Sequence, residues 1–213
     1  MKKIVAIVDY GVGNVFSVKQ AVESYGGAEA YITNQPSLIK TADRVILPGV
    51  GAFSEGMKGL IESELVEPIM DVVDRGIPIL GICLGMQMLA TFSDEFITTP
   101  GLNLIPGKVQ RIPEIGDNGA PLKVPYVGWA PIQINKELDD HSSCLDSAFN
   151  KAVYFVHSFQ LIPDDPKHLL SSYSHNGIQI TAAVQKDNVT GVQFHPEKSG
   201  EIGLKIIKNF IQK

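Results

Sequence analysis

Cysteine is almost missing from the 213-residue chain, which holds Cys83 and Cys144 and no others. Two cysteines build no disulfide framework. Long apolar runs are missing too. Met1 to Asp9 has two lysines and then only Ile4 to Val8 before the aspartate, too short for the apolar region of a secretion signal. No stretch approaches the roughly 20 apolar residues that span a bilayer. A chain without such a signal is expected in the cytoplasm, where thiols stay reduced, so Cys83 is expected to be a free thiol. Positive charge is also scarce: 18 Lys+Arg against 23 Asp+Glu give a net charge of -5. That balance argues against nucleic acid or an anionic membrane as the main partner. Small molecules or another protein remain.

What is present is ordinary globular material, 44% hydrophobic and 19% charged, enough for a sizeable core. No internal repeat, low-complexity tract or composition shift marks a boundary, so one domain over residues 1–213 is expected. The first half alternates short apolar runs with helical spacing, the pattern of a parallel sheet with crossover helices. Lys3 to Val8 reads as a strand. Val15, Val18, Val22 and Tyr25 then recur at helical spacing up to the Gly26-Gly27 stop. Ala28 to Ile32, Arg44 to Leu47 and Ile77 to Ile82 read as further strands, with a helix through Leu65, Ile69, Val72 and Val73 ending at Gly76. A helix beginning at Leu84 is expected to run through Met86 to Leu89.

Past Thr98 the texture changes to Gly/Pro punctuation and short strands at Lys108 to Arg111, Ala130 to Ile134 and Ala152 to His157. Asn176-Gly177 between Leu169 to Tyr173 and Ile178 to Val184 is a two-residue hairpin signal. Val189 to Phe194 is a strand, and a helix carrying Ile202, Ile206 and Phe210 closes the chain. The fold class expected is α/β, with a mixed, largely parallel central sheet, flanking helices and an antiparallel second half.

Four segments carry chemistry. Gly81-Ile82-Cys83-Leu84-Gly85 puts a cysteine on a sharp turn between a strand and a helix, where the thiol projects from the sheet edge. The helix that follows offers free N–H groups and the positive end of its dipole, which favour thiolate and hold a developing oxyanion. His195-Pro196-Glu197 supplies a base and a carboxylate to orient it, both projecting from a strand end. Pro48-Gly49-Val50-Gly51 follows a parallel strand, on the edge where open α/β sheets bind ligands, and its N–H groups suit an oxyanion hole. Asp9-Tyr10-Gly11-Val12-Gly13-Asn14 begins like a dinucleotide loop, but Phe16 stands in place of the third glycine, so no nicotinamide or flavin cofactor is expected. His141, His168 and His175 sit in polar stretches and read as surface residues, while His157 ends a strand and suits a cleft. No cluster has metal-ligand spacing, and no metal is expected.

"GICLGMQ" at Gly81 to Gln87, "FHPEKSG" at Phe194 to Gly200, "PGVGAF" at Pro48 to Phe53 and "DYGVGN" at Asp9 to Asn14 together resemble the class I (triad) glutamine amidotransferases. Within that class the chain resembles the glutaminase subunits of imidazole glycerol phosphate synthase, from Ile4 to the final helix. The resemblance implies the class I glutaminase fold, and glutamine hydrolysis in which Cys83 attacks the side-chain amide, His195 carries the proton and Glu197 orients the imidazole. It implies an oxyanion hole from Leu84 and the Val50-Gly51 turn, and glutamine contacts from Gly49, Gly51, Gln87 and Glu95. It further implies a separate (β/α)8-barrel cyclase as partner, met by Asn14, Trp129, Tyr154 and Lys198. The peptide at Val50, flanked by glycines, is expected to rest with its N–H turned away from the oxyanion, leaving Leu84 as the donor.

The chain departs from the family's usual residues at Tyr126, Ala130 and Phe159, all outside the triad. Two other readings stay open. A cysteine protein of similar fold without glutamine turnover has no need of Pro196-Glu197, and a related glutaminase subunit serves sugar amidation instead.

Overall fold

A computed structural model describes residues 2–117, 119–135 and 143–212. In chain order its elements are β1 (Lys3–Val8), α1 (Val15–Ser24), β2 (Ala28–Thr33), α2 (Pro36–Thr41), β3 (Arg44–Leu47), α3 (Phe53–Glu62), α4 (Val66–Asp74), β4 (Ile79–Ile82) and α5 (Leu84–Gln87). Then follow β5 (Phe92–Ser93), β6 (Thr99–Pro100), β7 (Gly107–Arg111), β8 (Tyr126–Pro131), β9 (Gln133–Ile134), β10 (Ala152–His157), β11 (Phe159–Pro163), β12 (Leu169–His175), β13 (Ile178–Lys186), β14 (Val189–Val192) and α6 (Gly200–Gln212).

The main sheet is 8-stranded in the order β2-β1-β3-β4-β14-β13-β12-β9. β2, β1, β3, β4 and β14 run parallel, and β13, β12 and β9 extend the sheet by antiparallel pairing. The mixed α/β class expected from the sequence is the one observed. Strands β3, β4 and β14 are buried at every residue, as strands covered on both faces must be. One apolar cluster packs α1 and α6 against one face, around Ile7, Ile46, Val192 and Phe210. A second packs α3 and α4 against the other, around Leu47, Phe53, Leu60 and Ile69. Burying a side chain of this kind is worth about 1.5–3 kcal/mol each. Two smaller sheets, β10 with β8 and β11-β7-β5-β6, stand over the carboxyl edge of the main sheet.

Several elements differ from the sequence expectation. β4 begins at Ile79, not Ile77, because Ile77 spends its N–H on the Val72 carbonyl that ends α4 and Pro78 has none to give. Ala130 to Ile134 is not one strand: Pro131 ends β8, fully buried Ile132 bonds the Lys151 and Asn150 backbone, and β9 joins the main sheet. The short helix begins at Leu84, as expected, but is shorter than expected. It lasts one turn before Leu89 and Ala90 tighten onto the Met86 and Gln87 carbonyls. β14 ends at Val192, short of Phe194. His168 and His175 are half-buried, not surface residues, and the His175 ring packs edge-on against Tyr126. His141 lies outside the described residues.

The junction of β4 and α5 depends on close backbone approach. A Cβ at Gly85 would lie 1.8 Å from the Leu47 carbonyl oxygen, and one at Gly49 would lie 2.3 Å from the Tyr10 hydroxyl. The obstacle at Gly85 is main chain of a central strand, which has nowhere to go. Gly85→Ala is therefore expected to lower unfolding stability by about 1–3 kcal/mol, read as a lower urea midpoint. An unchanged midpoint would mean that β3 and α5 are not held at this distance.

Candidate active site

Cys83 is held on both sides. Its N–H continues the β4 ladder by donating to the Val192 carbonyl at 2.8 Å, and its own carbonyl accepts from Gln87 N–H at 3.1 Å. Between these bonds the backbone turns through φ 55 and ψ -108. A non-glycine residue there costs about 1–3 kcal/mol and persists only when its surroundings force it. The thiol is buried and free, and Cys144 is buried as well. The Cys83 sulfur sits 4.0 Å from the Val156 carbonyl oxygen and 3.7 Å from the Gln193 side-chain nitrogen.

His195 reaches the same place from the end of β14. Its N–H donates to the Tyr154 carbonyl at 2.9 Å, and its carbonyl accepts from Lys198 N–H at 3.0 Å and from the Ser199 hydroxyl at 2.7 Å. A turn of 3-10 helix at Pro196–Lys198 then folds Glu197 back, so that its Oε1 lies 2.8 Å from His195 Nδ1. Turn geometry, and not the alternation of a strand end, brings the two side chains together. Both are almost wholly buried, at 3% and 2% side-chain exposure. A carboxylate accepts only, so Nδ1 carries the proton and Nε2 is left for the thiol. Burial alone would push the imidazole down. The neighbouring Cys83 thiol and Glu197 carboxylate outweigh it and raise His195 to about 9. Among the described residues Nε2 makes no hydrogen bond of normal geometry, a looseness common in catalytic pairs before substrate arrives.

The cavity in front of the thiol has a volume of about 370 Å³. Cys83, His195, Leu84, Val50, Gly51, Gln87 and Glu95 all line it, as the sequence motifs require of a shared site. Gly49 lies behind it, on the wall of a small gap shared with Asn14, His195 and Glu197. Gln87 donates through Nε2 to the Phe159 carbonyl at 3.1 Å and to Gln193 Oε1 at 3.0 Å, which leaves its own Oε1 to offer a ligand. Glu95 accepts from Phe53 N–H at 2.6 Å, capping α3 and fixing its carboxylate at the cavity rim.

The turn before α3 differs from expectation in one respect. Leu84 N–H is not free but donates to the Gly49 carbonyl at 3.3 Å. Across a planar trans peptide the carbonyl of Gly49 and the N–H of Val50 point opposite ways, so the Val50 N–H is turned away from Leu84, as anticipated. A single peptide thus withholds both donors at once.

Sequence reasoning missed part of the wall. Phe96, Arg111, Val156, Ser158 and Phe159 complete the cavity, and nothing in their local motifs distinguishes them from ordinary strand and loop residues. His157, expected in a cleft, lines it too. Its Nδ1 donates to the Phe159 carbonyl at 2.8 Å, and its Nε2 accepts from the Tyr173 hydroxyl at 2.9 Å. Burial keeps this ring neutral, pushing it down to about 4.

The four residues expected at a partner face are brought near the back of the site. Asn14 accepts from Ser17 N–H at the start of α1 and borders the gap behind His195 and Glu197. Lys198 is exposed beside Glu197, and Tyr154 bonds the His195 backbone while its ring meets the exposed Trp129 edge-on at 5.8 Å.

Residues 6–213 match the family model described as glutamine amidotransferase class-I. The chain is 46% identical over 210 residues to imidazole glycerol phosphate synthase subunit HisH 1 of Legionella pneumophila (strain Paris), covering 98% of each protein. It is 47% identical over 207 residues to the HisH subunit of Geobacter metallireducens, covering 97% of this chain and 96% of that one. The fold is similar to that in PurLQS from Thermotoga maritima, with a TM-score of 0.69 at 21% identity over 100% of this chain and 99% of that one. It is also similar to the Trypanosoma brucei CTPS glutaminase domain with bound acivicin, with a TM-score of 0.62 at 16% identity over 100% and 95%.

The two buried histidines give stability opposite slopes with pH. His195, raised from 6.5 to about 9, keeps in the fold a proton that the unfolded chain loses first. Its contribution is complete below about 6.5 and is lost as pH rises through about 9. His157, lowered to about 4, refuses a proton that the unfolded chain takes up, so the fold weakens as pH falls from about 6.5 toward 4. The stability deficit of His195→Asn is expected to shrink by on the order of 2 kcal/mol between pH 6.5 and 9. His157→Asn is expected to flatten the acid side instead. Urea titrations across pH read both, and a deficit independent of pH in His195→Asn would contradict the pairing with Cys83 and Glu197.

Proposed function

Because the chain belongs to the class I glutamine amidotransferase family, we propose that it is the glutaminase subunit of an imidazole glycerol phosphate synthase, releasing ammonia from glutamine for a partner that uses it. The observation that carries this reading is the buried His195–Glu197 pair, bonded at 2.8 Å, set beside a strained cysteine on the wall of a closed-backed cavity. Near-complete identity of length with the HisH relatives supports the subunit assignment.

In the proposed reaction glutamine enters the cavity with its side-chain amide at Cys83. His195 Nε2 takes the thiol proton, and the sulfur adds to the amide carbon. Glu197 keeps the proton on Nδ1 and stabilises the imidazolium. The tetrahedral oxyanion needs donors, and the resting turn withholds them. Rotation of the Gly49-Val50 peptide would free Leu84 N–H and turn Val50 N–H inward, with glycines on both sides of Val50 to absorb the dihedral change. His195 gives its proton to the amide nitrogen as the tetrahedral intermediate collapses, the C–N bond breaks with loss of ammonia, and a thioester remains. Water, deprotonated by His195, attacks the thioester carbon, and glutamate leaves as the thiol is restored. Gly49, Gly51, Gln87 and Glu95 are proposed to hold the glutamine, with Oε1 of Gln87 as an acceptor.

Ammonia is mostly protonated in neutral water and is then no nucleophile, so direct transfer to a synthase site has an advantage. The proposed partner is a separate (β/α)8-barrel cyclase. It would dock over Asn14, Trp129, Tyr154 and Lys198, which surround the back of the triad. The main-chain bond from His195 N–H to the Tyr154 carbonyl gives such docking a short route to the base.

Cys83→Ala is expected to abolish glutamine-dependent synthesis by the complex while leaving synthesis from added ammonia within about threefold of wild type, since the thiol serves only ammonia release. Loss of both activities in an intact complex would overturn that division. A further expectation follows from the withheld donors. Missing oxyanion donors cost about a hundred- to a thousandfold in kcat, so the isolated chain should be a poor glutaminase that a partner with bound acceptor activates by about a hundredfold. Glutaminase kcat for the chain alone, with partner, and with partner plus acceptor analogue tests this. Equal values would remove the gating, and activation by a sugar-amidating partner instead would change the pathway.

A further inference from the structure

Gln193 is wholly buried between the end of β14 and His195, with its backbone N–H bonded to the Ala182 carbonyl at 2.8 Å. No motif argument gave it a role. Its surroundings fix which end of its side chain faces where. The Phe159 carbonyl is flanked by Gln87 Nε2 at 3.1 Å and by His157 Nδ1 at 2.8 Å. A carbonyl only accepts, so both neighbours must donate. That sets the Gln87 amide with its NH2 toward Phe159 and also sets the His157 tautomer, whose free Nε2 then accepts from Tyr173. The same Gln87 NH2 lies 3.0 Å from the Gln193 side chain, which must therefore present its oxygen there. The opposite end, the Gln193 NH2, is left facing the Cys83 sulfur at 3.7 Å.

The donors thus run in one direction, from two side chains anchored on a main-chain carbonyl toward the nucleophile. A buried amide N–H with a sulfur before it is a better match to a thiolate than to a thiol, because an ionised acceptor holds its donor more strongly. A hydrogen bond to the charged form favours that form.

We propose that Gln193 is a catalytic residue that donates a hydrogen bond to the Cys83 sulfur and favours its thiolate, held in the donating orientation by Gln87 and the Phe159 carbonyl. The proposal rests on the reading of Cys83 as the nucleophile. It adds a second source of thiolate stabilisation beside His195. It also ties the thiol to Gln87, which lines the cavity where glutamine is proposed to bind, so that a ligand pulling on Gln87 is felt at the sulfur.

The test is the pH dependence of Cys83 alkylation by iodoacetamide, followed by peptide mass mapping to separate Cys83 from Cys144, alongside kcat and KM for glutamine in the complex. Gln193→Met keeps the volume and removes both polar ends. Gln193→Glu keeps an acceptor for Gln87 and, as a carboxylate, cannot donate to sulfur. Each folded variant is expected to raise the alkylation midpoint by about one pH unit, the order of losing one hydrogen bond to a charged group. At neutral pH kcat should fall about tenfold with KM changed less than about threefold, because the thiolate fraction falls with the midpoint. A packing role alone would lower thermal stability and leave the midpoint in place. Wild-type midpoints in both folded variants would overturn the proposal. A shifted midpoint in a chain that shows no glutamine turnover with its partner would keep the hydrogen bond and overturn the glutaminase reading.

Discussion

The site rests on one steric fact, the approach of α5 to the end of β3. With no side chain at Gly85, the first turn of α5 passes against the Leu47 carbonyl, closer than any Cβ would permit. That contact fixes where the helix begins relative to the parallel strands. The residue before it, Cys83, must then turn through a positive φ to join a buried strand to a buried helix. The strain at Cys83 is thus a consequence of packing elsewhere. It is sustained by fully buried strands on either side, which make a relaxed alternative costly.

Once the thiol is fixed, separate parts of the chain bring the remaining chemistry to it. β14 lies parallel to β4, and its continuation delivers Gln193 and His195 to the same edge. β10 and β11 cross above and supply His157 and the Phe159 carbonyl. The turn after β3 supplies Gly49, whose carbonyl occupies the Leu84 N–H at rest. The outcome brings His195 and Glu197 beside the thiol, with the Leu84 N–H, one of the two proposed oxyanion donors, engaged by the Gly49 carbonyl. In the proposed reaction, activity depends on a change at a single peptide, in a turn that neighbours the proposed docking face.

The alternation of apolar runs and helices was enough to read the parallel half, because each buried strand is short, apolar and ended by a glycine-bearing turn. The triad candidates were legible for a related reason: Cys83 between two glycines and His195 two residues before Glu197 are local patterns with a mechanical purpose. α3 was missed because Gly56 and Gly59 interrupt its helical period. Their cause is non-local, since a Cβ at Gly59 would lie 2.5 Å from the Tyr10 carbonyl oxygen and one at Gly56 would lie 2.8 Å from the Met88 sulfur. The tightness of β8 and β9 around Ile132, and the half-burial of His168 and His175, likewise depend on strands distant in sequence. The contributions of Phe159 and Gln193 to the site were not legible, because they are a backbone carbonyl and a buried amide, and neither leaves a signature in composition or spacing.

The central claim is that Cys83, and not Cys144, is the nucleophile that glutamine meets. Incubating the chain with its partner and a diazoketone analogue of glutamine, then mapping the adduct by peptide mass spectrometry, tests it most directly. The account predicts one adduct per chain, on Cys83, suppressed by excess glutamine and absent from Cys83→Ala. Labelling of Cys144, or an adduct on Cys83 that glutamine does not suppress, would contradict it.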